Sequence, residues 1–204
     1  MATQERAVRT RNALIESAAE LFDRDGFEAT SLSMISTRAG VSSGALHFHF
    51  ASKAVLAEAV GRSAAERLDH IVRQRSGGAL QELIDATFAL SRALDHNAVL
   101  RAGFALHDRL TPRGAGEGMR HAWQRWVERV VARAQEEGSL APGVRPQDAA
   151  AAIVAVTAGL ETLGGRDARW LAPGTLAGFW DLLLPRLAKD ASLGTLVASG
   201  SSVG

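Results

Sequence analysis

The chain has 204 residues, 47% hydrophobic and 22% charged, which is ordinary globular composition and enough length for one large domain or two smaller ones. A formal net charge of +1 is too small to argue for any partner by itself, and the absence of cysteine excludes disulfides, thiolate catalysis and cysteine-ligated zinc. The leading segment has no apolar stretch, and the most apolar run, Ala149 to Leu163, is broken by Thr157, Gly159 and Glu161; a soluble cytoplasmic protein is expected.

Almost every segment reads with helical period, and none alternates with period 2. A first helix is predicted from about Arg6 to Arg24, with Leu14, Ile15, Ala18, Leu21 and Phe22 on one face. Gly26 suits the left-handed stop after it, with Phe27 placed to fold back on the helix. Ser31 caps a short second helix ending near Gly40, Ser42 a shorter third through about Phe48, and Ser52 a long fourth from Lys53 to about Gln74. After Ser76-Gly77-Gly78 come a fifth helix, about 79–94, and a sixth, about 98–110, then a loop at 111–118. A seventh helix covers about 119–137, an eighth about 147–163 with Pro146 in its first turn, and a ninth about 175–189 carrying Pro185. The tail, 191–204, is rich in serine and glycine and is expected to be disordered. The expected class is all-α with about nine helices.

Charge is distributed unevenly. Residues 29–57 hold no Asp or Glu, although 22 acids in 204 residues predict about three there, and the arm before them carries Arg6, Arg9 and Arg11. Such a stretch fits either a phosphate-facing surface or a solvated face, and Arg9 and Arg11 fit either a DNA-binding arm or simple solubilisation. The short second and third helices are joined by about four residues, as in a helix-turn-helix. Ile35, Val41, Leu46 and Phe50 pack the pair over the first helix, and Gly40 supplies the turn. The small side chains of Ser42, Ser43, Gly44 and Ala45 let the leading end of the third helix enter a major groove. Phe48 and Phe50 are both expected in the core. His47 and His49, two residues apart, point to different sides of a helix, so no metal site is expected.

The run Gly44-Ala-Leu-His-Phe-His-Phe-Ala-Ser-Lys53, after Ala39-Gly-Val41 and beside Leu21-Phe22 and Gly26-Phe27, resembles the signature of the TetR family of repressors over residues 6 to about 60. The resemblance implies an all-α homodimer that binds double-stranded DNA and a small ligand, with a helix-turn-helix DNA-binding domain over 1–52, a ligand-binding and dimerisation domain over 53–190, and the tail over 191–204. It assigns DNA contacts to Ser33 and Arg38, a base-facing role to Ser42, Ser43, Gly44 and Ala45, and phosphate contacts to His47, His49 and Lys53. His47 stands where the family most often has tyrosine, which shortens that contact's reach; the small base-facing side chains leave more to DNA shape.

The later helices offer no nucleophile motif, phosphate loop or HExxH, and the adjacent pairs Asp95-His96 and His107-Asp108 do not face one another on a helix; no catalytic residue, cofactor or metal is expected. Alanine-dense 149–158 suits either a dimer interface shared with Phe179, Trp180, Leu183 and Leu184 of the last helix or close packing within one protomer. The stretch Val99-Leu-Arg-Ala-Gly-Phe-Ala-Leu106, with Trp123 and Gly164-Gly165, resembles the γ-butyrolactone-receptor branch of the family, in which a tryptophan matching Trp123 stacks on the ligand. That resemblance predicts a repressor of secondary metabolism or antibiotic production, released from a partly palindromic operator by a small hydrophobic signal. The alternative is a pseudo-receptor answering to an antibiotic, an intermediate or no small ligand. Trp123, Phe88, Phe104 and Thr157 are the candidate ligand contacts; plain core packing for Trp123, and a bond from Thr157 to its own backbone, are the simpler readings. Ligand entry is expected to shift the sixth helix against the fourth and spread the recognition helices beyond the roughly 34 Å that DNA demands. A 100-fold release requires about 2.7 kcal/mol of coupling.

Overall fold

The computed structural model describes residues 2–73, 77–110 and 118–201. Ten α-helices occur among them: α1 (Ala2–Asp25), α2 (Leu32–Arg38), α3 (Ser43–His49), α4 (Lys53–Arg73), α5 (Ala79–His96), α6 (Ala98–Leu110), α7 (Met119–Glu136), α8 (Pro146–Gly164), α9 (Pro173–Leu187) and α10 (Asp190–Leu193), with a 3-10 turn at Ala168–Leu171. The first nine match the expected elements, and α10 is additional. The expected loop at 111–117 and the His107-Asp108 side chains lie outside the described residues. No helix among the described residues is long and apolar enough to cross a membrane.

Two compact units divide the chain: residues 1–67 with 97–119, and residues 68–96 with 120–204. The first unit therefore takes in the start of α4 and all of α6, which follows α5 in sequence yet packs on α1. Its core joins Leu14, Ile15, Ala18, Leu21 and Phe22 of α1 to Ile35, Leu46, Phe50, Leu56 and Val60, and to Val99, Leu100, Ala102 and Phe104 of α6. Arg101 of α6 donates to Asp23 of α1 at 2.9 Å, and Arg67 of α4 pairs with Glu16. Where α6 crosses α4, a Cβ on Gly103 would overlap the Cβ of Ala64 and stand 2.8 Å from Met119 Sδ. Neither α-helical neighbour can rotate a Cβ away, so Gly103→Ala is expected to destabilise the protein by about 1–3 kcal/mol. Urea unfolding checks this, through a lowered midpoint at unchanged slope.

Helices α2, α3 and α4 each start at a serine cap. Ser31 Oγ accepts from Met34 N, Ser42 Oγ from Ala45 N and Ser52 Oγ from Val55 N, all at 3.2 Å. Gly26 at φ +84° ends α1, and Phe27 turns back so that its ring centroid lies 5.4 Å from that of Phe22. Gly40, at φ +66°, makes the turn between α2 and α3.

The second unit gathers the latter part of α4, α5 and α7–α10 around Trp180, which is wholly buried. Its Nε1 donates to Thr87 Oγ1 at 2.9 Å, and that hydroxyl donates to Ile84 O at 2.7 Å, so the indole N–H is satisfied. Ser91 Oγ donates to Leu171 O at 3.0 Å, fixing the 3-10 turn on α5. Glu82, buried on α5, pairs with Arg133 of α7, and Glu137 accepts from Ala79 N at 2.8 Å at the start of α5. Asp167 caps the 3-10 turn; hydrogen bonds from the Arg169 side chain, then from its backbone, hold this exposed carboxyl below the usual carboxylate range. That cap is present above the ordinary carboxylate pKa and lost on acidification.

The described part of the tail is hydrogen-bonded to α5. Val197 N donates to Gln81 Oε1 at 2.8 Å and Ser201 N to Asp85 Oδ1 at 2.7 Å, while a Cβ on Gly200 would meet the Phe88 ring at 3.1 Å. Side chains of α5 thus add to the turns that the tail makes by itself, such as Gly200 N to Val197 O at 3.0 Å.

Candidate nucleic-acid interface and ligand site

The helical period divides α3 into two faces. Leu46 and Phe50, four residues apart, are buried against the first unit's core. Ser42, Ser43, Gly44 and His47 are exposed, Ala45 and His49 are half-buried, and Ser33 is exposed on α2. Phe48 corrects the expectation that it joins the core. Two residues from both Leu46 and Phe50, it is rotated about 200° from them and is 82% exposed, while Phe50 is 2% exposed. The His49 ring meets Phe48 edge-on at 5.2 Å and lies 6.4 Å from Phe50. Arg11 stands over the Phe50 ring at 5.3 Å, so this arm residue has a packing role within the unit.

The other expected DNA contacts are already engaged. Arg38, at the end of α2, pairs with Glu20 of α1, and the Ser42 hydroxyl is the α3 cap. Lys53 Nζ donates to the carbonyls of Phe27 at 2.8 Å, Thr30 at 2.9 Å and Glu28 at 3.4 Å, and stands 4.3 Å from the centroid of the Phe27 ring. An ammonium has three protons, and three carbonyls of the turn between α1 and α2 receive them. Lys53→Ala is therefore expected to lower stability by about 2 kcal/mol, since hydrogen bonds to a charged group are worth about 1.5–3 kcal/mol. It is expected to leave the salt dependence of DNA binding unchanged; a slope reduced by about one would make Lys53 a phosphate contact instead.

Among the ligand candidates, Trp123 and Thr157 meet. Trp123 Nε1 donates to Thr157 Oγ1 at 2.9 Å, and that hydroxyl donates to Ile153 O at 2.9 Å. The bond to its own backbone and the bond to tryptophan thus coexist. The Trp123 ring stacks on Trp126 at 5.0 Å and 27°, and both Trp123 and Thr157 are buried. One turn along the same seam, Arg120 Nη2 pairs with Glu161 Oε2 at 2.8 Å, a link that single-residue reasoning about Trp123 misses. Phe88 is buried on α5 of the same unit; Phe104 is buried on α6 in the other unit. On the outer side of α7 and α8, a groove of about 560 Å³ is lined by Gln124, Glu128, Gln147, Ala151 and Ala155, among others. Trp180 and Leu184, for which the sequence leaves open both a dimer interface and packing within one protomer, are buried within the protomer; Leu182 is 82% exposed on α9. Among the described residues no cluster of three or more His, Cys, Asp or Glu could hold a metal ion.

A capped three-helix unit presenting the small, acid-free face of α3 defines a helix-turn-helix DNA-binding regulator. Residues 14–60 match the family model of the bacterial regulatory proteins of the tetR family. The chain is 34% identical over 204 residues to the A-factor receptor protein of Streptomyces griseus, an alignment covering 98% of this chain and 71% of that one. Among solved structures, it resembles a γ-butyrolactone receptor described as ArpA-like (28% identity, TM-score 0.80, covering 95% of this chain and 96% of that one). It also resembles CprB of Streptomyces coelicolor in complex with that protein's operator sequence (27% identity, TM-score 0.76, covering 93% of this chain and 94% of that one). The chain belongs to the TetR family: it is a DNA-binding transcriptional regulator similar to the γ-butyrolactone receptors, and not an enzyme.

Proposed function

We propose that this regulator is a homodimeric repressor that leaves a partly palindromic operator when a small hydrophobic signal, a γ-butyrolactone-type molecule, binds its second unit, and that it controls secondary metabolism or antibiotic production. The observation that carries this reading is the whole-chain similarity to the A-factor receptor, which extends well past the DNA-binding helices. Ser33, Ser43, Gly44 and Ala45 meet the duplex at the major groove, with His47 and His49 reaching phosphate and Ser42 holding the leading end of α3 in shape. Arg38 contacts the backbone only by leaving Glu20. Lys53 acts by holding the turn between α1 and α2.

Dimerisation runs through α8 and α9: Ala151, Ala152 and Ala155 are exposed on the first and Leu182 on the second, a small-residue face beside an apolar knob. The ligand is contacted by Trp123, Thr157 and Phe88 of the second unit. Transmission uses α4, a continuous helix that begins at Lys53 beside the DNA-binding turn and enters the second unit at Leu68. A second reading, a pseudo-receptor that answers to an antibiotic, an intermediate or no small ligand, is favoured by one feature: Trp123 and Thr157 already satisfy each other. A gel shift with the DNA upstream of the protein's own gene separates the two. Release by a synthetic γ-butyrolactone supports the first reading; release only by antibiotic-containing culture extract, or by nothing, supports the second.

A further inference from the structure

Phe48 is a large apolar side chain left 82% exposed at the end of a seven-residue helix whose other large apolar side chain, Leu46, is buried. An exposed phenyl is tolerated singly on protein surfaces, but this one lies four residues after Gly44 and so shares its exposed face of α3. Side chains on a helix lean toward its N-terminus, so Phe48 covers the turn that holds Gly44. That turn is open: a Cβ on Gly44 would find only Ser42 Oγ, at 4.0 Å. The edge-on ring of His49 buttresses the phenyl from one side. No acid lies between residues 29 and 57 to repel a duplex from this surface.

A phenyl ring has no hydrogen-bond donor and forms no contact with phosphate of the kind an arginine or histidine makes. In the major groove the apolar group available to it is the C5-methyl of thymine. We propose that Phe48 is a sequence-reading residue, taking the methyl group of one thymine in each operator half-site. The proposal rests on the reading of α3 as the recognition helix, and it assigns base specificity to a position outside the small-residue run Ser42–Ala45.

The test uses the full-length protein and a duplex selected by it from a randomised pool. Each thymine of that duplex is replaced in turn by deoxyuridine, which removes only the methyl, and affinities are measured by fluorescence anisotropy. The wild type is expected to lose about fourfold at one thymine per half-site, the value of one buried methyl. Phe48→Ala is expected to bind the parent duplex about tenfold more weakly, to lose the response to uracil at that position only, and to keep the wild-type salt slope. Phe48→Leu, still apolar, is expected to retain part of the thymine preference. Equal uracil profiles for wild type and Phe48→Ala, or unchanged affinity in Phe48→Ala, would overturn the proposal while leaving α3 as the reader. Failure of the wild type to select any sequence removes the recognition-helix reading, and the proposal with it.

Discussion

Ser43→Glu is expected to lower operator affinity by about 100-fold, or about 2.7 kcal/mol. Ser43 is exposed in the first turn of α3, where a groove-docked helix meets base-edge acceptors and the flanking phosphates. A carboxylate there faces like charge on the DNA. The same carboxylate is favourable to the isolated fold, because a helix N-terminus stabilises negative charge by about 0.3–1 kcal/mol. Binding and stability should therefore move in opposite directions: affinity falls while the melting temperature stays level or rises slightly. Anisotropy titration paired with thermal unfolding reads both. Unchanged affinity in a folded Ser43→Glu protein would take the leading end of α3 out of the DNA interface.

Trp123→Ala and Trp123→Phe address the second unit. The alanine variant removes a buried indole and leaves Thr157 Oγ1 without its donor, so a stability loss of about 3–5 kcal/mol is expected. Trp123→Phe retains much of the ring and loses only the N–H, which keeps the test informative if the alanine protein unfolds. Both are expected to bind operator within about twofold of wild type while needing about 100-fold more γ-butyrolactone for release, a shift of the size of typical allosteric coupling. Release of either variant at the wild-type ligand concentration would assign Trp123 to the core alone.

Helical period made nine of the helices legible, because their apolar residues recur every three to four positions and their ends carry serine, glycine or proline. Period also held the correct answer for Phe48, since Leu46 and Phe50 already define the inward face; reading aromatic residues as core by type obscured it. The Lys53 side chain illustrates a different limit. Its three carbonyl partners converge only because Gly26 reverses the chain and Phe27 folds back on Phe22, a tertiary arrangement without local signature. The packing of α6 on α4 depends likewise on the small residue Gly103 meeting Ala64, two positions far apart in sequence. Tail docking rests on Gln81 and Asp85, polar residues that look like ordinary solvated positions of α5. Of the candidate ligand residues, tryptophan and threonine are recognisable in the sequence as needing partners, but that each partners the other is written in the crossing of α7 and α8. In α9, composition marks Trp180 and Leu182 alike as apolar, and only the packing turns the first inward and the second outward.

The direct measurement is a spacing series by anisotropy titration. Duplexes carry two copies of the selected half-site with centres one helical turn apart, about 10–10.5 base pairs, or with five further base pairs inserted. A dimer presenting two α3 helices on one side of the duplex predicts tight binding of one dimer to the in-phase duplex and a loss of about 100-fold on insertion, which turns the second half-site to the opposite side. Equal affinity for both duplexes would contradict paired reading of successive major grooves by α3.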